Sequence, residues 1–280
     1  MGQPFSSHRA RKRFGQHWLS DAKVLRAIVG AAELSGDDHV LEVGPGRGAL
    51  TGALLGTAVQ SVTAVELDRD LIDGLQQRFG QDPRFALVSG DVLQLELPQA
   101  SKVVANIPYN ITGPLLERLV GRLDRPVPSP YARLVLLVQR EVGERIRARP
   151  GSSCYSALSV RMQLLCHTSL VCPVPPRCFE PPPKVDSEVI CLDPLAASAR
   201  LDQATARTVE GLLKRCFAAR RKMLRNTLAG LLSPAELEQL ANQAGIGLQQ
   251  RPQEIAPAAW VALATGLNRQ QAPSGEHAHG

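Results

Sequence analysis

Short apolar runs rich in valine recur along the first half of the chain, each closed by glycine, aspartate or asparagine. Residues 39–43, 62–66, 85–88, 102–105 and 133–138 read as strands. Runs this short and this uniformly apolar suit parallel strands covered on both faces. Between them, residues 49–58, 67–79 and 113–120 carry helical spacing, and 141–147 continues as helix after the fifth run. The alternation predicts an α/β fold built on a doubly wound parallel sheet. Arg125-Pro-Val-Pro-Ser-Pro130 forbids regular structure. Residues 159–171 and 185–192 read as an antiparallel pair that closes the sheet, and 193–200 as a linker. From Asp202 onward the pattern is helical only, with Val209, Leu212, Leu213, Phe217, Leu228, Leu231 and Leu232 on apolar faces. Ser233-Pro234 opens a new helix with Ser233 as N-cap. Gly245 and Gly247 interrupt before Pro252. The expected division is an N-terminal arm over 1–20, a sheet domain over 21–195, a small helical domain over 196–268 and a disordered tail over 269–280.

Composition leaves this picture intact and narrows it. Apolar content of 44% and charged content of 21% are those of a globular chain. The longest uninterrupted aliphatic stretch, Leu134 to Val138, is too short to cross a bilayer, so no membrane association is expected. The six cysteines include no Cys-x-x-Cys, which points to reduced thiols in a cytoplasmic protein. Cys166, His167, Cys172 and Cys178 lack the ligand-pair spacing of a zinc site, and no metal is expected.

Charge adds a partner. The net charge is +6, and the segment from Arg200 to Arg225 holds eight Lys or Arg against two acids, which accounts for the whole excess. A second basic cluster, Arg9, Arg11, Lys12 and Arg13, has no acid beside it. Two such patches suit a phosphate backbone, and they make Arg11, Lys12, Arg13, Lys214, Arg215, Arg220, Arg221, Lys222 and Arg225 candidate RNA contacts.

Candidate chemistry collects at the ends of the predicted strands. Asn106-Ile107-Pro108-Tyr109 follows the fourth run. An exocyclic amine on adenine is a poor nucleophile because its lone pair is delocalised into the ring. The Asn106 carboxamide oxygen and a backbone carbonyl next to Pro108 can each accept one N–H and localise that pair, while Tyr109 stacks on the base. Pro108 fixes its own φ and holds Ile107 extended. Leu41-Glu-Val-Gly-Pro-Gly-Arg-Gly48 places glycines between a strand and a helix, the mechanical basis of a nucleotide-binding first crossover, with Gly44 and Gly46 as candidate cofactor contacts. Gly44-x-Gly46-x-x-Ala49 also satisfies the looser dinucleotide fingerprint, so a nicotinamide oxidoreductase stays open at this point. Glu66 would accept from ribose hydroxyls in either case. Asp91, after the third run, can accept from an adenine amino group, as an S-adenosylmethionine pocket requires.

These segments resemble the small-subunit (16S) ribosomal RNA adenine dimethyltransferase family, KsgA/RsmA, over about residues 11–267. Lys12-Arg13-Phe14-Gly15-Gln16-His17-Trp18-Leu19 is similar to the family's N-terminal signature, with Trp18 where the family usually has Phe. Residues 41–51, Glu66-Leu67-Asp68, Gly90-Asp91 and 106–112 resemble its methyltransferase motifs. The resemblance implies a Rossmann-like S-adenosylmethionine-dependent methyltransferase sheet with a small C-terminal all-helical, rRNA-binding domain. It implies that His17, Leu19, Gly44, Glu66, Asp91 and Asn106 contact S-adenosylmethionine, and that Phe179 supplies a second aromatic face for the flipped base. Gln139-Arg-Glu-Val-Gly-Glu-Arg145, Tyr155-Ser-Ala-Leu-Ser-Val160 and Phe179-Glu-Pro-Pro-Pro-Lys-Val-Asp-Ser187 look like the small-subunit enzymes more than the 23S enzymes of macrolide resistance. Phe217-Ala-Ala-Arg-Arg-Lys-Met-Leu-Arg-Asn226 resembles the rRNA-binding start of the C-terminal domain.

The implied activity is methyl transfer to N6 of two adjacent adenosines near the 3′ end of 16S rRNA, by a monomer, within the small ribosomal subunit. A 23S adenine methyltransferase, the oxidoreductase and a non-catalytic RNA-binding factor are the alternatives.

Overall fold

The computed structural model describes residues 16–128 and 131–271. The chain divides into two compact units. Among the described residues, one gathers 16–121 with Val127–Glu144 and Cys166–Pro194; the other gathers Arg122–Pro126, Arg145–Leu165 and 195–271.

A seven-stranded sheet organises the first unit. Its strands are β1 His39–Val43, β2 Ser61–Glu66, β3 Phe85–Ser89, β4 Lys102–Asn106, β5 Arg133–Gln139, β6 Cys166–Val174 and β7 Ser187–Pro194. They lie in the order β3-β2-β1-β4-β5-β7-β6. The first five are parallel, and β7 runs antiparallel to both β5 and β6. Burial explains the uniform valine content of the central strands. Val103, Val104, Ala105 and the whole of Leu134–Val138 are sealed from solvent, so neither face tolerates polar alternation.

The helices α1 Ala22–Ala32, α2 Ala49–Leu55, α3 Arg69–Phe79 and α4 Thr112–Val120 belong to the same unit. Helix α1 went unassigned in the sequence, although Asp21 caps it by accepting from Lys23 and Val24 amides at 2.8 and 3.1 Å. Val24, Ile28 and Ala32, spaced by four, enter the core with Leu54, Leu71 and Leu75.

The expected strand over 159–171 is corrected. Residues Ala157–Leu165 form a helix, and only from Cys166 does the chain become strand. Leu158, Val160, Met162 and Leu164 alternate with polar residues, which mimics a strand. Helix wins because the segment is made of strong helix formers and is buried on several sides, with Ser159, Val160, Met162 and Leu165 all inside. This stretch packs in the helical unit, whereas the sequence had assigned it to the sheet domain.

The second unit is helical. Its longest members are Gln203–Phe217 and Pro257–Gln271, with Pro234–Gln243 opened by a capping box at Ser233 and Glu236. Tyr155, Phe217 and Trp260 form an aromatic centre with ring separations of 6.4 and 6.1 Å. Buried Glu210 accepts from Arg161 Nε at 2.8 and 3.0 Å. The tail expected from residue 269 is helical as far as Gln271, and the rest lies outside the described residues. In the proline-rich stretch, Arg125–Pro126 makes a two-residue strand.

Candidate active site

A cavity of about 340 Å³ opens at the carboxyl ends of β1, β2, β3 and β4, where open α/β sheets bind ligands. The glycine turn after β1 forms one wall. Gly44 and Gly46 sit at φ +67° and +58°, a left-handed conformation costly to any residue with a Cβ. At Gly46 a Cβ would stand 2.6 Å from Trp18 Cδ1. The residue that presses on this backbone is therefore an aromatic side chain of the protein itself, as well as whatever enters the cavity.

Glu66 ends β2 and is almost fully buried. Its carboxylate accepts from the Gly46 amide at 3.1 Å and the Asp68 amide at 2.8 Å, joining the glycine turn to the start of α3. Burial raises its pKa despite those two hydrogen bonds. A carboxylate has about four acceptor positions, so capacity remains for a ligand hydroxyl. Asp91 lines the cavity beyond β3, and one of its oxygens accepts from the Leu93 amide at 2.9 Å.

Asn106, Ile107, Pro108 and Tyr109 line the adjoining part of the same cavity. The Asn106 amide nitrogen donates to the His17 carbonyl at 3.0 Å. That bond fixes the carboxamide orientation and leaves Oδ1 as its acceptor. The Pro108 carbonyl already accepts from the Ile111 amide at 3.1 Å. Tyr109 is pinned at its hydroxyl, 2.5 Å from Ser187 Oγ, and its ring stacks with His17 at 5.6 Å and 28°. Burial raises the Tyr109 pKa, so the hydroxyl stays neutral over the working range.

The structure thus brings His17, Gly44, Gly46, Glu66, Asp91 and Asn106 to one cavity with Ile107, Pro108 and Tyr109. It does not bring Leu19 or Phe179. Both are 4% exposed and belong to the apolar core, paired across a short antiparallel bridge between Trp18–Leu19 and Phe179–Glu180. The ring beside Tyr109 is His17. No base fits between these two rings, because stacking on both needs about 7 Å, two carbon contacts of roughly 3.5 Å. Sequence reasoning missed Trp18, Leu67 and Ser187. Leu67 is half exposed on the cavity lining directly after Glu66, an apolar surface for a flat ring.

Among the candidate RNA contacts, Lys214, Arg215, Arg220, Arg221, Lys222 and Arg225 are all exposed in the helical unit. Two carry internal work as well. Arg215 donates to the Thr227 and Ala229 carbonyls, and Arg220 donates to the Ser153 carbonyl at 3.0 Å. Arg11, Lys12 and Arg13 lie outside the described residues.

The model of the family described as ribosomal RNA adenine dimethylase matches residues 7–268. The chain belongs to this family. The dimethylase assignment is reinforced by two relatives called ribosomal RNA small subunit methyltransferase A. The one from Synechococcus sp. is 68% identical, over 95% of this chain and 98% of that protein. The one from Parasynechococcus marenigrum is 65% identical, over 99% and 94%. A dimethyladenosine transferase from Plasmodium falciparum superposes with a TM-score of 0.76 at 26% identity, covering 91% of this chain and 98% of that one. The 23S rRNA methyltransferase ErmE follows with 0.73 at 28%, covering 90% and 99%. The much higher identity to the small-subunit methyltransferases disfavours the 23S reading, and family membership removes the oxidoreductase.

Beneath the glycine turn, Glu42 is fully buried, with Oε2 accepting from Thr51 Oγ1 at 2.7 Å and Oε1 without a partner among the described residues. Burial, with Thr51 opposing and Glu66 adding repulsion, pushes its pKa up to about 8. The acid is neutral when folded at pH 7 and ionised when unfolded, so unfolding releases a proton. Stability is full below the ordinary value of 4.5 and falls as pH rises toward 8, by roughly 1 kcal/mol per pH unit. Urea melts of Glu42→Gln should show a flatter decline than the parent as pH rises from the ordinary carboxylate range toward about 8; an identical slope would place the titration elsewhere.

Proposed function

We propose that the chain transfers methyl groups from S-adenosylmethionine to N6 of two adjacent adenosines near the 3′ end of 16S rRNA, within the small ribosomal subunit, acting as a monomer in the cytoplasm. The observation that carries the reading is the Asn106 carboxamide, whose nitrogen is occupied by the His17 carbonyl while Oδ1 stays available at a cavity shared with the glycine turn.

The cavity suits the methyl donor. Its volume lies in the range of small-ligand sites, Glu66 retains acceptor positions for ribose hydroxyls, Asp91 stands at the next strand end, and Leu67 offers an apolar face. When bound, S-adenosylmethionine supplies an electrophilic methyl on a sulfonium, which loses its charge on transfer. The protein's own part is positioning. Asn106 Oδ1 and the Ile107 carbonyl accept the two N6 hydrogens and localise the nitrogen lone pair toward the methyl. Tyr109, held by Ser187, provides the stacking surface. The N6 proton is lost to water after transfer, so no strong base is required. For the second methylation one acceptor must accommodate a methyl in place of a hydrogen.

The test is mass mapping of methylated adenines after unmodified small subunits are incubated with the protein and labelled S-adenosylmethionine. Two adjacent, doubly methylated adenosines near the 3′ end of 16S rRNA are expected. Label elsewhere in 16S rRNA, or none at all, would overturn the reading.

A further inference from the structure

Residues 16–19 touch the donor and acceptor sides of the cavity at once. Gln16 Nε2 donates to Asp68 Oδ2 at 2.8 Å, next to Glu66. The His17 carbonyl accepts from Asn106, and His17 Nδ1 is 2.8 Å from the Pro181 carbonyl. Trp18 turns the Cδ1–Nε1 edge of its ring to Gly46, and its Cα is paired with Glu180. The next residue of the glycine turn completes the arrangement. Arg47 places its guanidinium carbon 3.9 Å from the Trp18 ring centroid, and its NH1 is 3.7 Å from Glu180 Oε2. A planar cation over an indole face, partly screened from water, is the strongest common form of this interaction.

We propose that Arg47 is a positioning residue for methyl transfer. Stacked on Trp18 and steered by Glu180, it holds the 16–19 strap against the glycine turn. The strap in turn sets the Asn106 carboxamide through the His17 carbonyl. A ligand that orders the glycine turn therefore also orders the acceptor, and by reciprocity a loosened strap weakens the ligand. Side chain 47 thus acts on both ends of the reaction without touching the base. The inference rests on the methyltransferase reading above.

The experiment uses S-adenosylhomocysteine as the probe, with binding followed by calorimetry and by tryptophan emission. The chain has two tryptophans, and Trp260 is fully buried in the helical unit. Subtracting the emission of Trp18→Phe therefore isolates Trp18. In the parent, addition of the probe should change the Trp18 emission. Arg47→Ala should weaken probe binding by about 3- to 30-fold and remove most of that emission change. Arg47→Met, which keeps the stem packing, should behave like Arg47→Ala, while Arg47→Lys restores part of the affinity. At saturating S-adenosylmethionine, in a separate methylation assay, the Arg47→Ala rate should still be several-fold low, because the acceptor side is loosened too. Arg47→Ala and Trp18→Leu together should cost less than the product of their separate effects, as expected for side chains that act as one unit.

Failure of the parent to bind S-adenosylhomocysteine would sink the methyltransferase reading itself. If the parent binds it and Arg47→Ala and Arg47→Met bind equally well with the same emission change, the strap proposal is wrong. Weaker binding with a parental rate at saturation would also overturn it, since Arg47 would then serve the donor side alone.

Discussion

Asn106→Ala should lower the rate of adenine methylation at saturating cofactor by about 100- to 1000-fold, the usual cost of removing one preorganised polar group from a reacting centre. Cofactor affinity should fall far less. The glycine turn, Glu66 and Asp91 are held by bonds that do not pass through residue 106. Asn106→Asp makes the sharper comparison. A carboxylate keeps an acceptor in place of Oδ1, but its second oxygen would meet the His17 carbonyl, where the native amide donates. Two acceptors at that distance repel, so this variant should also be slow, and less so at low pH, where the acid regains a proton to donate. Single-turnover assays on unmodified small subunits at several pH values would check both. A parental rate for Asn106→Ala would show that the amine is not polarised by this side chain.

Replacing Arg220, Arg221 and Lys222 together by alanine should flatten the salt dependence of RNA binding. Each phosphate contact contributes about 0.7 to 0.9 to the log–log slope, so three full contacts would remove between two and three. The structure lowers that expectation to about 1.5, because Arg220 already donates to the Ser153 carbonyl. Affinity near physiological salt should fall by about 10-fold or more, and S-adenosylhomocysteine binding should not change, since none of the three residues lines the cavity. Filter binding across a salt series, paired with calorimetry, reads both. An unchanged slope would move the RNA footprint away from this segment.

The parallel strands were legible because burial on both faces leaves a sequence no choice but short aliphatic runs, and each run ends on a residue whose chemistry survives at the sheet edge. Residues 39–43 matched the strand at both ends. Gly44, Glu66, Asp91 and Asn106 could be placed together for the same reason: parallel strands deliver all their carboxyl ends to one side. What was not legible depended on contacts far apart in the chain. Tyr109 gave no hint of Ser187, 78 residues on, and Gly46 gave none of Trp18. Phe179 was expected at the base, yet its pairing with Leu19 takes its ring into the core. Arg215 looked like a free cation in a basic run, whereas it holds two carbonyls near the end of a short helix. Alternating apolar residues in 157–165 hid a helix, since a segment covered on several sides carries no single apolar face.

The reversed direction of β7 decides what kind of chain reaches the active edge. Four parallel strands present the residues that come after them; β7, inserted backwards beside β5, presents the residues that come before it, and Ser187 stands opposite Gln139. The approach to β7, from Phe179 to Asp186, with three consecutive prolines, is therefore an overpass into the site rather than an exit from it. Its two abutments are separately anchored, at Leu19 and Trp18 on one side and along the β5 register on the other. Between them the Pro181 carbonyl stands 2.8 Å from His17 Nδ1, so the incoming chain is tied to the residue that holds Asn106 before it ever becomes a strand.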